Sequence, residues 1–367
     1  MGAHRRSAGW STGLLVVLGL TMVVSAGIGS ASVPLSEVVG AVLDEIAVPT
    51  AVGVTVGSIS LPLVGTVPVP VPTATFATPF ARGVSDPVST IVVGIRLPRI
   101  VLAAIVGCGL AAAGTVMQGL FRNPLAEPSI IGVSTGAAVG AVAAISVPAL
   151  VPLSLQPMAF LTALVTAFGV YAVATRGGRT PIATLLLAGI AVQAFLGAVI
   201  SYLLLHSGDS LESAVYWLMG HLHASSWSDV WVTLPIVLVG TVVLLAYARD
   251  LNVLVLGETD ATHLGVEVER TKRILLAVAT LVTAAGVAVA GVIGFVGLIV
   301  PHVVRLVVGP DHRVLLPASA IAGAAFLVAA DTVARAGPVS VPVGIVTAAA
   351  GAPFFLYLLR TREVHEL

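Results

Sequence analysis

Charge is what this 367-residue sequence has least of: Asp, Glu, Lys and Arg together make up 9% of it, against roughly a quarter in soluble domains. With 57% hydrophobic residues beside them, these few charges cannot cover a water-facing surface. Acidic and basic residues balance at 17 each, so the chain has no net positive charge to draw it to phosphates and no nucleic-acid partner is expected. Lysine is nearly missing. A P-loop needs Gly-Lys-Ser/Thr, and the single lysine, Lys272, follows Thr271; ATP is therefore hydrolysed elsewhere if this is a pump. Cysteine is reduced to Cys108, in an apolar run, which excludes an internal disulfide and a multi-cysteine metal site. No bound cofactor or metal is expected.

What is abundant is apolar, and the 38 glycines fit helices packed closely in lipid, where small residues let backbones approach. A span needs about 20 apolar residues, and ten such segments are read: 12–30, 97–119, 128–148, 157–175, 181–205, 229–248, 274–294, 295–309, 314–334 and 341–360. The seventh and eighth adjoin with almost no polar spacer. His4, Arg5 and Arg6 before the first stretch also fit a signal peptide, but no clear A-x-A site precedes Ser32, so a retained span is preferred. The expectation is an all-α membrane protein of about ten transmembrane helices.

Basic residues accumulate on the cytoplasmic side. With the N-terminus inside, Arg5, Arg6, Arg122, Arg176, Arg179, Arg249, Arg270, Lys272, Arg273, Arg305, Arg313, Arg360 and Arg362 fall inside, and only Arg82, Arg96, Arg99 and Arg335 fall outside. Both termini are therefore placed in the cytoplasm. Residues 31–95 then form an external loop. Its Val/Pro-rich insert, 44–90, carries Pro49, Pro62, Pro68, Pro70 and Pro72, which would repeatedly remove helix hydrogen bonds; it is read as a loop, in part extended, and not as a span. Ala113-Gly114 before Pro124 and Ala290-Gly291 before Pro301 share a spacing on spans of opposite direction, the parity an inverted repeat with Pro-broken helices would give.

The longest inner polar stretch, within the loop 249–273, runs Gly257, Glu258, Thr259, Asp260, Ala261, Thr262, His263, Leu264, Gly265. It predicts a short helix from about Glu258 to Leu264, ended by Gly265 as a cap, which is either a handle for a cytoplasmic motor or an ordinary amphipathic connector. Outside, Arg96, Arg99 and Arg335 could pair with carboxylates of a docking protein or only snorkel to the interface. Arg122, Asn123, Pro124, Leu125 and Glu127 form a proline-broken inner loop, a gate or a plain turn, with an Arg122–Glu127 pair locking the break. Gln118 and Asp331 are polar at depth and so paired or functional; Asp331 precedes Arg335 by one helical turn, which suggests a structural ion pair. Gly132-Val133-Ser134-Thr135-Gly136 matches the nucleophile elbow only as a pattern, since it follows no strand. His221 and His223 beside Trp217 and Trp227 read as an interfacial aromatic belt ahead of a metal site.

These segments together resemble the FecCD family of ABC importer permeases, which move ferric siderophores, haem or cobalamin. The resemblance covers about 90–362. It rests on Arg96-Leu97-Pro98-Arg99, on Gln118 with the run from Phe121 to Pro128, on Leu256-Gly257-Glu258 to Leu264-Gly265, and on Gly291 to His302 with Pro301 and Arg305. Asp311-His312-Arg313, Asp331 with Arg335, and Gly351-Ala352-Pro353 complete it. What it implies is a single polytopic permease domain over 1–367 and no enzyme activity in this chain. The same resemblance implies a pathway between two permease copies, or this chain and a paralogous permease, with two ABC ATPase subunits below and an extracytoplasmic substrate-binding protein above. By it, Glu258 to Leu264 looks like the coupling helix, the three outer arginines look like receivers of the binding protein, and Asn123 with Leu125 looks like part of the inner gate. The implied cargo is an iron chelate, most often a ferric siderophore, with haem or cobalamin as alternative, and the implied place is a prokaryotic plasma membrane, in contact with lipid. Departures are Ser340 before Val341-Pro342 where the family often has glutamate, His221 where it often has serine, and the apolar Pro181-Ile182-Ala183-Thr184. From other classes, an ion-coupled secondary transporter would rest on Asp331, and an intramembrane hydrolase on Ser134.

Overall fold

The computed structural model describes residues 3–29, 33–45, 48–61, 65–78, 82–337 and 339–361; Pro62 and Arg362 lie outside these. The chain opens with α1 (Ala3–Gly27) and a short α2 (Leu35–Asp44), followed by strands β1 (Val48–Leu61) and β2 (Gly65–Ala77). A single turn, α3 (Asp86–Ser89), runs through π-helical Thr90–Arg96 into α4 (Leu97–Leu120). Then come α5 (Val133–Ser146), α6 (Leu155–Ala174), α7 (Ile182–Leu205), α8 (Leu211–Leu218), α9 (Trp227–Ala246), α10 (Ala248–Leu254) and α11 (Glu258–His263). The last four are α12 (Val268–Ala290), α13 (Val296–Val308), α14 (His312–Ala336) and α15 (Val343–Thr361).

Among the described residues seven helical stretches are long and apolar enough to cross a membrane: Ser7–Gly27, Asp86–Leu120, Leu155–Ala174, Ile182–Leu205, Trp227–Ala246, Val268–Ala290 and His312–Ala336. Val133–Ser146, Val296–Val308 and Val343–Tyr357 are shorter. Each of the ten segments read from the sequence lands on one of these, but at 1.5 Å per residue the 13 residues of α13 reach only about 20 Å of the ~30 Å hydrocarbon core. The seventh and eighth segments part at Gly291–Phe295, where Gly291 and Phe295 both take positive φ.

The proline-rich insert is not a span, and it adds a β element to an otherwise helical chain. β1 and β2 pair antiparallel from Val48↔Ala77 to Leu61↔Gly65. Valine and threonine favour this extended backbone. Pro68, Pro70 and Pro72 face Ser58, Val56 and Val54, so they share one parity along β2. A ladder with prolines at these positions survives only if their missing N–H groups face away from β1. The open edge of β2 therefore has no donor at those three positions and is a poor template for another strand.

α4 and α14 cross at the centre of the bundle, with α9, α12 and α13 against them. Glycine permits the crossings: a Cβ on Gly107 would meet the carbonyl oxygen of Gly323, and one on Gly114 that of Gly297. Phe168 and Val165 on α6, Leu187, Ile190 and Phe195 on α7, and Trp231 and Val239 on α9 stay exposed, an apolar surface of the kind that marks a membrane or protein interface. The repeat reading does not hold at its motif: Ala113-Gly114 lies inside α4, whereas Ala290-Gly291 ends α12 and Pro301 sits within α13. The second break is set by Gly291, where a side chain would strike the Trp217 carbonyl, and not by the proline.

Gly114→Val should destabilise the purified protein by about 3 kcal/mol, since backbone has no rotamer with which to yield. Gly169→Val, on α6 with open space around it, should leave the melting temperature in detergent unchanged. Equal melting of the two variants would contradict the crossing.

Candidate functional site

Because α4 and α14 both run the length of the bundle, residues at their termini define its two ends. At one end the C-terminal turn of α1 leaves carbonyls without intrahelical partners. Arginines fill them: Arg96 donates to Ala26 O at 2.7 Å, and Arg335 donates to Ser25 O at 2.6 Å and to Ile28 O. Cations there also suit the negative end of a helix. Arg335 Nε donates to Asp331 Oδ2 at 3.2 Å, and Arg99 grips the same carboxylate from α4 at 2.8 and 3.0 Å. Asp331 is 1% exposed, Arg96 6% and Arg335 8%. The expected Asp331–Arg335 pair is present; Arg96 and Arg335 reach the end of α1 and are buried there, while the Arg99 side chain is 13% exposed.

Beside them the His221 and His223 rings lie tilted to each other with centres 4.7 Å apart, both against Tyr216, at a cavity of about 590 Å³ also lined by Trp217 and Asp229. Burial, then the neighbouring His223 and Arg99, push His221 down to about 4, so the ring is neutral at pH 7. Among the described residues no group of three or more His, Cys, Asp or Glu could hold a metal.

At the other end Gln118 is a bridge between helices. Its Nε2 donates to Leu298 O at 3.0 Å, and its Oε1 accepts from Arg305 Nη2 at 2.8 Å. Asn123 Oδ1 accepts the Leu125 N–H at 2.9 Å, an Asx turn that shapes the loop through Pro124. The expected Arg122–Glu127 pair does not form: Arg122 takes positive φ and is exposed, and Glu127 instead accepts from the Ser129 hydroxyl. Gln118, Asn123, Pro124, Arg305 and His302 line a cavity of about 660 Å³. Asn252, which the sequence reading passed over, ties α10 to the start of α14. It donates to Asp311 Oδ1 at 2.7 Å and accepts the His312 N–H at 2.9 Å. Hydrogen bonding from Arg313 first, and from Asn252 after it, holds the Asp311 carboxyl well below the usual range.

The polar stretch folds as expected. Gly257, at φ 136°, opens α11, and Gly265, at φ 85°, follows its end. The bonds Val266 N–H to Ala261 O at 2.9 Å and Gly265 N–H to Thr262 O at 3.0 Å make the Schellman cap that glycine allows. Ala261 is fully buried, while Thr259, Asp260, Thr262, His263 and Leu264 are exposed, so the segment presents a polar face with Leu264 at its edge.

Replacing Asp331 by Ala strands Arg99 and Arg335 without their anion, and breaking such a buried pair costs about 3–5 kcal/mol. Thermal unfolding in detergent should show that loss, and a Ser25→Cys thiol, buried in the parent, should become reactive to maleimide. A thiol that stays protected would mean that the arginine cluster does not hold α1.

The FecCD transport family matches residues 14–361. The cobalamin import system permease protein BtuC of Halobacterium salinarum is 59% identical over 366 residues, covering 100% of this chain and 99% of that protein. The hemin transport system permease protein HmuU of Yersinia pestis is 44% identical over 300 residues, 78% of this chain and 89% of that one. A solved structure assigned to the metal-chelate type of ABC transporter, in an inward-facing conformation, has a TM-score of 0.74 at 30% identity, with 97% of this chain and 100% of that chain covered. With its long apolar helices, the chain is a multi-pass membrane protein of the FecCD transport family.

Proposed function

We propose that this chain is the permease subunit of a binding-protein-dependent importer, carrying a ferric siderophore by alternating access driven by a separate ATPase subunit. The family match over residues 14–361, in a sequence that lacks a P-loop lysine motif, carries the reading. Two ABC ATPase subunits would seat against α11 and its flanks, Gly257 to Gly265. A second permease copy, or a paralogous one, would complete the pathway, and Gln118, Asn123, Pro124 and Leu125 would lie at its inner mouth. At the outer end Arg99 would meet a binding protein's carboxylates first; Arg96 and Arg335 would join only as α1's end yields its hold on them.

Cobalamin is a second cargo reading, favoured by the 59% identical relative that covers the whole chain. An ion-coupled carrier finds little support, because Asp331 is clamped between two arginines. Ser134, in the first turn of α5, follows no strand and gives hydrolysis no support either.

Proteoliposomes holding this chain with its ATPase subunits and binding protein should take up a ferric hydroxamate only with ATP present. Removing ATP should reduce uptake more than tenfold, and collapsing ion gradients should leave it unchanged. Uptake driven by a proton or sodium gradient without ATP would overturn the transport class, while ATP-dependent uptake of cyanocobalamin alone would replace the cargo.

A further inference from the structure

Lys272 is buried at one end of α12, with only 5% of its side chain exposed. An ammonium out of water must be paired and hydrogen-bonded, and this one has two carboxylates. Its Nζ donates to Glu258 Oε1 at 3.0 Å and to Glu269 Oε1 at 2.8 Å. Glu258 is the first residue of α11, and Glu269 lies one turn before Lys272 on α12. The second oxygen of Glu269 accepts the Thr180 N–H at 3.2 Å. Thr180 is itself 1% exposed, its hydroxyl lies 2.9 Å from that of Thr175 where α6 ends, and Pro181 follows as the N-cap of α7. An unbroken series of bonds thus leads from α11 through Lys272 and Glu269 to the turn between α6 and α7.

The elements it joins differ in how they are held. α12 is mostly buried, whereas α7 buries only Leu185 and Gly189 among its described residues. α11 has six residues and one buried side chain, Ala261. So short a helix has little packing with which to fix its own direction, and the Glu258–Lys272 bond supplies a second point of attachment. Withdrawing Glu258 would leave the buried ammonium with half its anionic partners, which is costly; α11 and the start of α12 therefore favour moving together. Arg179 from the α6–α7 turn and Glu258, Thr259 and Glu269 line one open cavity of about 670 Å³, so the two ends of this relay face each other across it.

We propose that Lys272 is a positioning residue for coupling: its ammonium, shared by Glu258 and Glu269, ties α11 to the α6–α7 turn so that a displacement of α11 reaches the largely exposed α7. The proposal rests on the reading of α11 as the ATPase-facing element. It names a role for the single lysine that the P-loop argument leaves over.

The test uses the complete complex in lipid, with Cys108→Ala and spin labels on cysteines placed at exposed Thr259 and Arg179. ATP with vanadate is the probe, so no cargo is needed. In the parent the distance between labels should keep one narrow distribution before and after trapping. In Lys272→Met it should broaden and shift to longer values on trapping, and Lys272→Arg should restore the narrow form. Glu258→Gln, at a half-exposed site, should reproduce the broadening and serves if Lys272→Met fails to assemble. A distribution in Lys272→Met that stays as narrow as the parent's in both states would overturn the positioning role. If the Thr259 label of the parent is unaffected by binding of the ATPase subunits, the reading of α11 fails, and the proposal falls with it for that separate reason.

Discussion

Where lipid replaces water, every buried charge and every unpaired backbone group has to find its partner inside the chain, and the charged residues of this protein are arranged by that constraint. With 9% of the sequence charged, few groups are available. Asp331 therefore serves two arginines at once, Arg335 serves both Asp331 and the carbonyls that end α1, and Lys272 serves two glutamates. The first cluster joins elements far apart in sequence, and the second joins consecutive ones. One adds charged contacts to the packing of α1 on α14 and ties both to the start of α4; the other fastens α11 to α12.

Between these ends the packing depends on small residues. Gly107 against Gly323 and Gly114 against Gly297 bring backbones together, which suits association without a hydrophobic driving force between helices. The π-helical approach to α4 is held in the same spirit, with the Val93 carbonyl accepting the Trp227 indole N–H at 3.0 Å. The central helices are mostly buried, whereas α7 leaves most of its surface exposed.

Much of this was legible in the sequence because hydropathy is a local signal: all ten apolar segments became helices, and Gly265 capped α11 as its position suggested. The insert was legible as something other than a span, but strand pairing needs a partner, and no local rule names Val54 as the partner of Pro72. The arginines were read for their charge alone. That Arg96 and Arg335 turn inward depends on where α1 ends in space, 307 residues from Arg335 in the case of Ile28, which spacing cannot reveal. Arg122 and Glu127 illustrate the converse: opposite charges close in sequence did not pair, because positive φ at Arg122 turns the chain and Ser129 offers Glu127 a nearer donor. Asn252 escaped notice because its partners, Asp311 and His312, lie about 60 residues on.

The central claim is that α11 takes the push of a separate motor, and contact at its exposed face tests it most directly. With Cys108→Ala as background, a cysteine at Asp260 should crosslink to the ATPase subunit in the assembled complex, and the yield should change between nucleotide-free and ATP-trapped states. If cysteines at every position from 258 to 264 fail to crosslink while uptake remains normal, α11 is only a connector and the coupling account is contradicted.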